Sequence, residues 1–250
     1  MNIILLGTGK MGNAVAEKAI ATGHRVIHRI NHENRHLINS ALLREADVII
    51  EFTRPDAAVE NLYRCLEAGV PVVCGTTGWQ DDYEDVRRKF MEADGSLLTA
   101  TNFSIGVNIL FQLNQHLAHW LKGYPAYKPS LHEVHHTRKL DKPSGTAVTL
   151  ASDLMSNRPE YCTWALSDEA DKPAEYVLPI HSERMGDVIG VHEVVWHSPI
   201  DSICIRHEAH NRDGFAEGAL LAAEWLRGRK GVFSMADVLF GRKGAQAPIL

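Results

Sequence analysis

The chain has 250 residues, 45% of them hydrophobic and 23% charged, with a formal net charge of -5. This is enough chain for one large or two ordinary domains with a real core, and its acidic balance argues against a general nucleic-acid binder. Cys65, Cys74, Cys162 and Cys204 are widely spaced and form no Cys-x-x-Cys pair, so reduced thiols are expected rather than a disulfide scaffold. The opening MNIILLGTGKMG is apolar for only four residues before a glycine. Neither a secretion signal nor a membrane span is expected there, and a cytoplasmic enzyme is the default.

Residues 3–6 read as a short buried strand, and a helical stretch over 13–21 follows Gly7, Gly9 and Gly12. Further strands are expected at 25–30, 46–52, 70–74 and 96–100, with helices at 57–67 and 81–93. Strands alternating with helices predict a mostly parallel sheet covered on both faces. The pattern then changes. A helix is expected over 107–121, a strand over 130–134 and a helix over 146–154, followed by strand-like runs at 176–180, 187–196 and 202–207. With few helices between them, these runs predict an open sheet that is not doubly wound. Helical patterns return at 215–226 and 233–240. The expected fold is α/β: a Rossmann-type dinucleotide-binding domain (1–105 plus 216–250) with an inserted α+β domain (106–215) on an open mixed sheet. The inserted domain is expected to bind substrate and to mediate oligomerisation.

Gly7-Thr8-Gly9-Lys10-Met11-Gly12 sits between the first strand and the first helix. In that position a Gly-x-Gly-x-x-Gly run supplies a tight turn, close backbone approach to a pyrophosphate and helix N-terminal amides. The acid that normally reads an adenosine ribose is missing near Asn31, and Glu33 is late. Arg29, His32 and Arg35 could instead meet a 2'-phosphate, so the reading leans to NADPH, with NADH also open. The loops containing Phe52 and Thr53, Gly75-Thr76-Thr77-Gly78, and Thr101-Asn102-Phe103 follow successive strands. Carboxyl-end loops of a parallel sheet form the ligand crevice, which suits a nicotinamide.

The stretch EVHHTRKLDKPSGTA, residues 133–147, concentrates proton and anion chemistry. His135 and His136 can exchange protons near neutral pH, and Lys139 can hold a carboxylate. Ser144, Gly145 and Thr146 offer an amide and hydroxyls at an expected helix start. Together they predict a pocket for a small acidic substrate. Metal is the lesser reading at His132, His135 and His136, because His-Glu-x-x-His needs its glutamate directly after the first histidine on a helix, and this run is read as one residue short of that spacing.

These residues carry a resemblance. Glu133, His135, His136, Lys139, Asp141, Pro143, Ser144, Gly145, Thr146 and Ala147 resemble the signature of the 4-hydroxy-tetrahydrodipicolinate (dihydrodipicolinate) reductases of the lysine and diaminopimelate pathway. Gly75-Thr76-Thr77-Gly78, Asn102-Phe103-Ser104-x-Gly106-Val107-Asn108, Arg184-x-Gly186-x-x-Gly190-x-His192 and Phe215-Ala216-x-Gly218-Ala219 are similar to further family segments. The resemblance implies that His135 is the proton donor and Lys139 its partner in catalysis and substrate binding. It implies that His136, Gly145 and Thr146 hold the substrate, and that NADPH or NADH binds at the Gly7–Gly12 loop, Gly75–Thr77 and around Asn102 and Phe103. It also implies a homotetramer. The fingerprint here is one residue shorter than the family's and has Lys10 where arginine is usual, and Glu51 stands where aspartate is more usual. The rival readings are another two-domain dehydrogenase acting on an amino acid, and a non-catalytic dinucleotide-binding regulator.

Overall fold

The structure is a computed structural model that describes residues 1–167 and 174–241. The chain divides into two compact units, residues 1–105 with 212–250 and residues 106–211. The break falls four residues before the expected 215/216 edge, just ahead of the last long helix. The final stretch of the expected first domain, 242–250, lies outside the described residues.

In chain order the first unit begins β1 (Asn2–Leu6), α1 (Lys10–Ala21), β2 (Arg25–Ile30), α2 (Ser40–Leu43), β3 (Val48–Glu51) and α3 (Pro55–Ala68). It continues with β4 (Val72–Cys74), α4 (Tyr83–Glu92) and β5 (Ser96–Thr99). The second unit is built from α5 (Ile105–Trp120), β6 (Lys128–His135), α6 (Gly145–Asn157), β7 (Thr163–Leu166), β8 (Val177–Arg184), β9 (Gly190–His197) and β10 (Ser202–Ala209). The chain then returns to the first unit with α7 (Asp213–Leu226), β11 (Gly231–Phe233) and α8 (Met235–Phe240).

The first sheet runs β11-β5-β4-β3-β1-β2 with every pair parallel. Alternation along its strands splits the core in two. Ile3, Leu5 and Ile50 pack with Val15, Ala16, Ala219 and Ala223 of α1 and α7, while Ile4, Leu6 and Ile49 pack with Leu62, Val86 and Phe90 of α3 and α4. The small residues of α7 let it approach closely: a Cβ at Gly218 would lie 1.8 Å from the Phe103 carbonyl oxygen.

The tail departs from expectation. Phe233 belongs to the edge strand β11, paired with Leu98, and the helix starts only after Ser234, which forms a capping box with Asp237. A three-residue strand is too short to show a period of two, and its apolar residues read as a helical face. The short elements β7 and α2 escape the sequence reading for the same reason.

The second sheet is mixed, ordered β10-β9-β6-β8-β7. β6 pairs antiparallel with β9 and parallel with β8. One face carries Leu131, Leu178, Ile180, Val194 and Trp196 and is covered by α5 and α6. The other face, with His132 stacked on His181 at 4.5 Å, has no described helix of this unit on it. No helix among the described residues is long and apolar enough to cross a membrane.

Candidate active site

In the first unit, the carboxyl ends of β1, β2 and β3 surround a cavity of about 570 Å³ lined by Gly7, Thr8, Gly9, Asn31, Phe52 and Thr53 among others. Gly7 has φ +99°, and a Cβ there would lie 2.0 Å from the Phe52 carbonyl oxygen. The turn is therefore closed against its neighbouring loop. Lys10, Met11 and Gly12 form the first turn of α1, and a Cβ at Gly12 would lie 2.0 Å from the Gly7 carbonyl oxygen. The fingerprint thus folds as a tight strand-to-helix turn, although it is short by one residue.

Asn31, expected among the cofactor-binding residues, lines this cavity. Its Oδ1 accepts from the amides of Glu33 (2.8 Å) and Asn34 (3.3 Å), so it caps its own turn. His32, Arg35, His36 and Arg54 also line the cavity. Arg54 is paired with Asp56 at 3.0 Å, whereas Arg35 takes part in none of the ion pairs recorded among the described residues.

Glu51, fully buried, shows why a longer acid works at this position. It accepts from the Thr53 amide (3.1 Å), the Thr53 hydroxyl and Asn61 Nδ2 (3.4 Å). Cys74 Sγ donates to its other oxygen at 3.3 Å, and burial pushes that thiol well up, which keeps it a donor. The Thr53 amide also reaches Thr76 Oγ1 at 2.8 Å, so Glu51 ties the loop after β3 to the loop after β4. Thr76, Thr77 and Thr101 line a second cavity of about 230 Å³. Gly75 packs on the Phe52 ring. Asn102 and Phe103 turn inward: Asn102 Oδ1 accepts from the Ser104 amide at 2.8 Å, and Phe103 meets Phe52 edge-on at 5.6 Å.

In the second unit, alternation along β6 puts Glu133 and His135 on the helix-covered face. The turn after it carries half-buried His136 and Lys139, whose amide donates to the His136 carbonyl at 3.1 Å. Lys139 Nζ rests on both oxygens of Asp141, at 2.8 and 2.7 Å. Ser144 is the N-cap of α6, accepting from the Ala147 amide, and Gly145 and Thr146 head the helix. The Ser144 hydroxyl also meets His192 Nε2 at 3.1 Å. Ser144 is thus buried and bonded to Glu133, Ala147 and His192, and it braces the turn from within.

Glu133, 1% exposed, is the hub. It accepts from the Ser144 amide (3.1 Å to each oxygen), Ser182 Oγ (2.5 Å) and Arg184 Nη1 (3.4 Å). His135 Nδ1 and His192 Nε2 face its Oε2 at 3.5 and 3.8 Å. Burial pushes its carboxyl upward, but the hydrogen bonds from Ser144 and Ser182 and the nearby His135 outweigh this and hold it below its ordinary value. Burial lowers His135 to about 4; Lys139 and Arg184 add to that, against the pull of Glu133 and Asp141. Burial, then His135, lowers His192 to about 3. Sequence reading left Glu133 without a role and missed His192, Ser182 and Arg184. The signal for Arg184 and His192 was the segment that joins them, which carries no function in the sequence reading; Ser182 had none.

The ligand atoms of Glu133, His135 and His192 lie within 4.8 Å of one another, a spacing that a metal could use. The Glu133 carboxylate, however, is already filled by two hydroxyl or amide donors and a guanidinium. The letters His132-Glu133-Val134-His135-His136 do spell His-Glu-x-x-His. On a strand, residues four apart are about 13 Å from one another, not on adjacent turns of one helix face.

Both histidines have folded pKa values below the ordinary 6.5, so at neutral pH they are uncharged folded or unfolded and contribute nothing. Below 6.5 the unfolded chain takes up protons that the folded chain refuses. Stability is therefore expected to fall from about pH 6.5 to about pH 3 and then level off with respect to these groups. Urea unfolding midpoints across that range check this, and the loss should shrink in His192→Phe.

Family profiles match nearly the whole chain: "Dihydrodipicolinate reductase, N-terminus" over residues 1–103 and "Dihydrodipicolinate reductase, C-terminus" over residues 106–239. The chain belongs to the dihydrodipicolinate reductase family. A 4-hydroxy-tetrahydrodipicolinate reductase of Christiangramia forsetii is 43% identical over 240 residues, covering 96% of this chain and 98% of the relative. One from Alkaliphilus oremlandii is 33% identical, covering 96% and 98%. Among solved structures, the dipicolinate-bound dihydrodipicolinate reductase from Paenisporosarcina sp. TG-14 has a TM-score of 0.77 at 21% identity, covering 96% of this chain and 99% of that one. The amine dehydrogenase from Mycobacterium smegmatis has a TM-score of 0.59 at 10% identity, covering 94% and 95%. These two likenesses are of fold. Family membership gives the first unit the role of a dinucleotide-binding domain for NADH or NADPH.

Proposed function

We propose that this protein reduces 4-hydroxy-tetrahydrodipicolinate to tetrahydrodipicolinate with NADPH or NADH, a step of lysine and diaminopimelate biosynthesis. One observation carries this reading. Residues of the family signature meet between the end of β6 and the start of α6: His135 and Ser144 face the buried Glu133 carboxylate, and Lys139 lies on the turn between them.

The bound nicotinamide supplies a hydride. The 4-hydroxyl leaves as water with a hydrogen from the neighbouring ring carbon, forming a C=C bond; that bond would then take the hydride at one carbon and a proton from His135 Nε2 at the adjacent one, so the ring exchanges the elements of water for one hydride and one proton. The substrate's carboxylates find the Lys139 ammonium and the amides of Gly145 and Thr146 at the head of a 13-residue helix. Lys139 leaves Asp141 to meet one of them, and His136 borders the same turn. His135 is neutral at pH 7 in the ligand-free protein. A dianion bound beside it favours the imidazolium, so arrival of substrate and charging of the acid are coupled.

The cofactor loops (Gly7–Gly12, Phe52–Thr53, Gly75–Thr77 and Thr101–Phe103) belong to the first unit and the acid–base cluster to the second, and turnover requires both. A homotetramer would cover the helix-free face of the five-stranded sheet; light scattering on the purified protein reads the subunit count.

The reading is tested by generating the substrate freshly from pyruvate and aspartate semialdehyde and following loss of reduced cofactor. Substrate-dependent oxidation supports it. No oxidation with either cofactor, despite measured cofactor binding, contradicts it. Arg35 at the cavity wall, in no ion pair among the described residues, favours the 2'-phosphate of NADPH. Arg35→Ala is expected to raise the KM for NADPH about tenfold and to leave the KM for NADH nearly unchanged, which steady-state titration of each cofactor measures.

A further inference from the structure

Glu133 does more than fill the interior. We propose that Glu133 is the positioning carboxylate of this reaction: its Oε2 fixes the His135 ring with Nδ1 turned inward and Nε2 presented to substrate, and both oxygens fix the Ser144 amide at the head of α6. The proposal rests on the reductase reading above.

The geometry is specific. Glu133 and His135 are two residues apart on one strand, so their side chains share a face, and His135 Nδ1, buried and without a hydrogen bond among the described residues, lies 3.5 Å from Oε2, within ion-pair distance. The ring is held edge-on by His192, with centroids 5.0 Å apart. The Nε2 edge lies over Gly190, where a Cβ would come within 3.1 Å of that nitrogen. The missing side chain at residue 190 thus clears the atom that carries the transferred proton. A carboxylate on the inner nitrogen fixes the tautomer of an imidazole and stabilises its charged form.

The charges around His135 single out Glu133. On its own strand it faces Glu133, from β8 Arg184, from β9 His192, and from the following turn Lys139 and Asp141; His207 of β10 stands opposite His192. Lys139, Arg184 and a charged His192 all disfavour the imidazolium. Of the two anions, Asp141 is committed to Lys139 Nζ and is exposed to solvent. Glu133 is buried and fixed by three donors from two other segments, the Ser144 amide and the Ser182 and Arg184 side chains. It is the anion placed to balance His135 when the ring charges. The same oxygens hold the Ser144 amide, so one carboxylate sets both the acid and the turn that opens the carboxylate-binding helix.

The test compares Glu133→Gln, which removes the charge and keeps the shape, with Glu133→Asp, which keeps the charge and draws it back. For Glu133→Gln, kcat is expected to fall roughly 10²-fold. The alkaline limb of its kcat profile should move to lower pH, and the KM for cofactor should stay within about twofold. Glu133→Asp should recover part of kcat and keep the limb near its wild-type position. Histidine NMR titration of the ligand-free protein reads the same claim without turnover: the His135 ring should titrate at lower pH in Glu133→Gln than in wild type. An unmoved limb and an unmoved titration, with only a lower melting temperature, would make Glu133 a purely structural residue and overturn the proposal. If Glu133→Gln does not fold, a Glu133→Asp profile displaced like an uncharged variant's overturns it equally. A wild-type protein that does not turn over the substrate removes the reductase reading and with it this role, while a shifted His135 titration would still place Glu133 in control of the ring.

Discussion

Replacing His135 with alanine is expected to lower kcat by roughly 10²- to 10⁴-fold, the usual worth of a positioned general acid. His135 is buried, faces a carboxylate through Nδ1, and presents Nε2 over Gly190, which has no side chain. Its low value in the free protein adds a second signature. The profile of kcat/KM follows the free protein, where His135 titrates near 4, and that of kcat follows the substrate complex. The bound dianion raises the working value, so the alkaline limb of kcat should lie at higher pH than that of kcat/KM. Both limbs should flatten in His135→Ala, with cofactor affinity kept, because the cofactor loops lie in the other unit. Unchanged turnover would remove His135 from the chemistry.

The second large effect is expected at Gly7. Alanine there would have to hold φ near +99° and place its Cβ 2.0 Å from the Phe52 carbonyl oxygen and 3.0 Å from the Thr53 amide nitrogen. The backbone conformation alone costs about 1–3 kcal/mol, and the overlap forces the loop after β3 to move. Gly7→Ala should therefore lower the melting temperature and weaken cofactor binding at least tenfold. Gly9→Ala is the contrast. A Cβ at Gly9 meets nothing within 4 Å, and Gly9 has an ordinary φ of -71°. That variant should melt like wild type yet bind cofactor poorly, because Gly9 is where the backbone must approach the pyrophosphate. Thermal unfolding and nucleotide fluorescence titration on the pair separate the two jobs. Equal stability in both variants would contradict the close packing of Gly7 on Phe52.

Much of this was legible in the chain. Apolar runs closed by glycine marked β1 and β4, and the α1 and α3 patterns between them required a parallel sheet. The run from Glu133 to Ala147 marked His135, His136 and Lys139 as candidates by residue type, and their roles came from the family resemblance. What could not be read has physical reasons. β7 and β11 have four and three residues, too few for an alternation signal. Asn31 was picked out only by its place after β2, and sequence could not show that its Oδ1 caps its own turn. The partners of Glu133 arrive from β8 and β9, about fifty residues away, where cross-strand register and not sequence spacing brings them together. Glu51 was noted only as an unusual acid, because its partners Asn61, Cys74 and, through Thr53, Thr76 come from three later segments.

The most direct test follows the hydrogens. Wild-type protein would be given freshly formed 4-hydroxy-tetrahydrodipicolinate with reduced cofactor deuterated at the transferring position, and separately with unlabelled cofactor in heavy water, and the product analysed by mass spectrometry. The account predicts tetrahydrodipicolinate carrying one cofactor-derived deuterium in the first case and solvent deuterium on the carbon beside the ring imine in the second, with product formation nearly abolished in His135→Ala. Product without label from the cofactor, or cofactor bound but never oxidised, would contradict it.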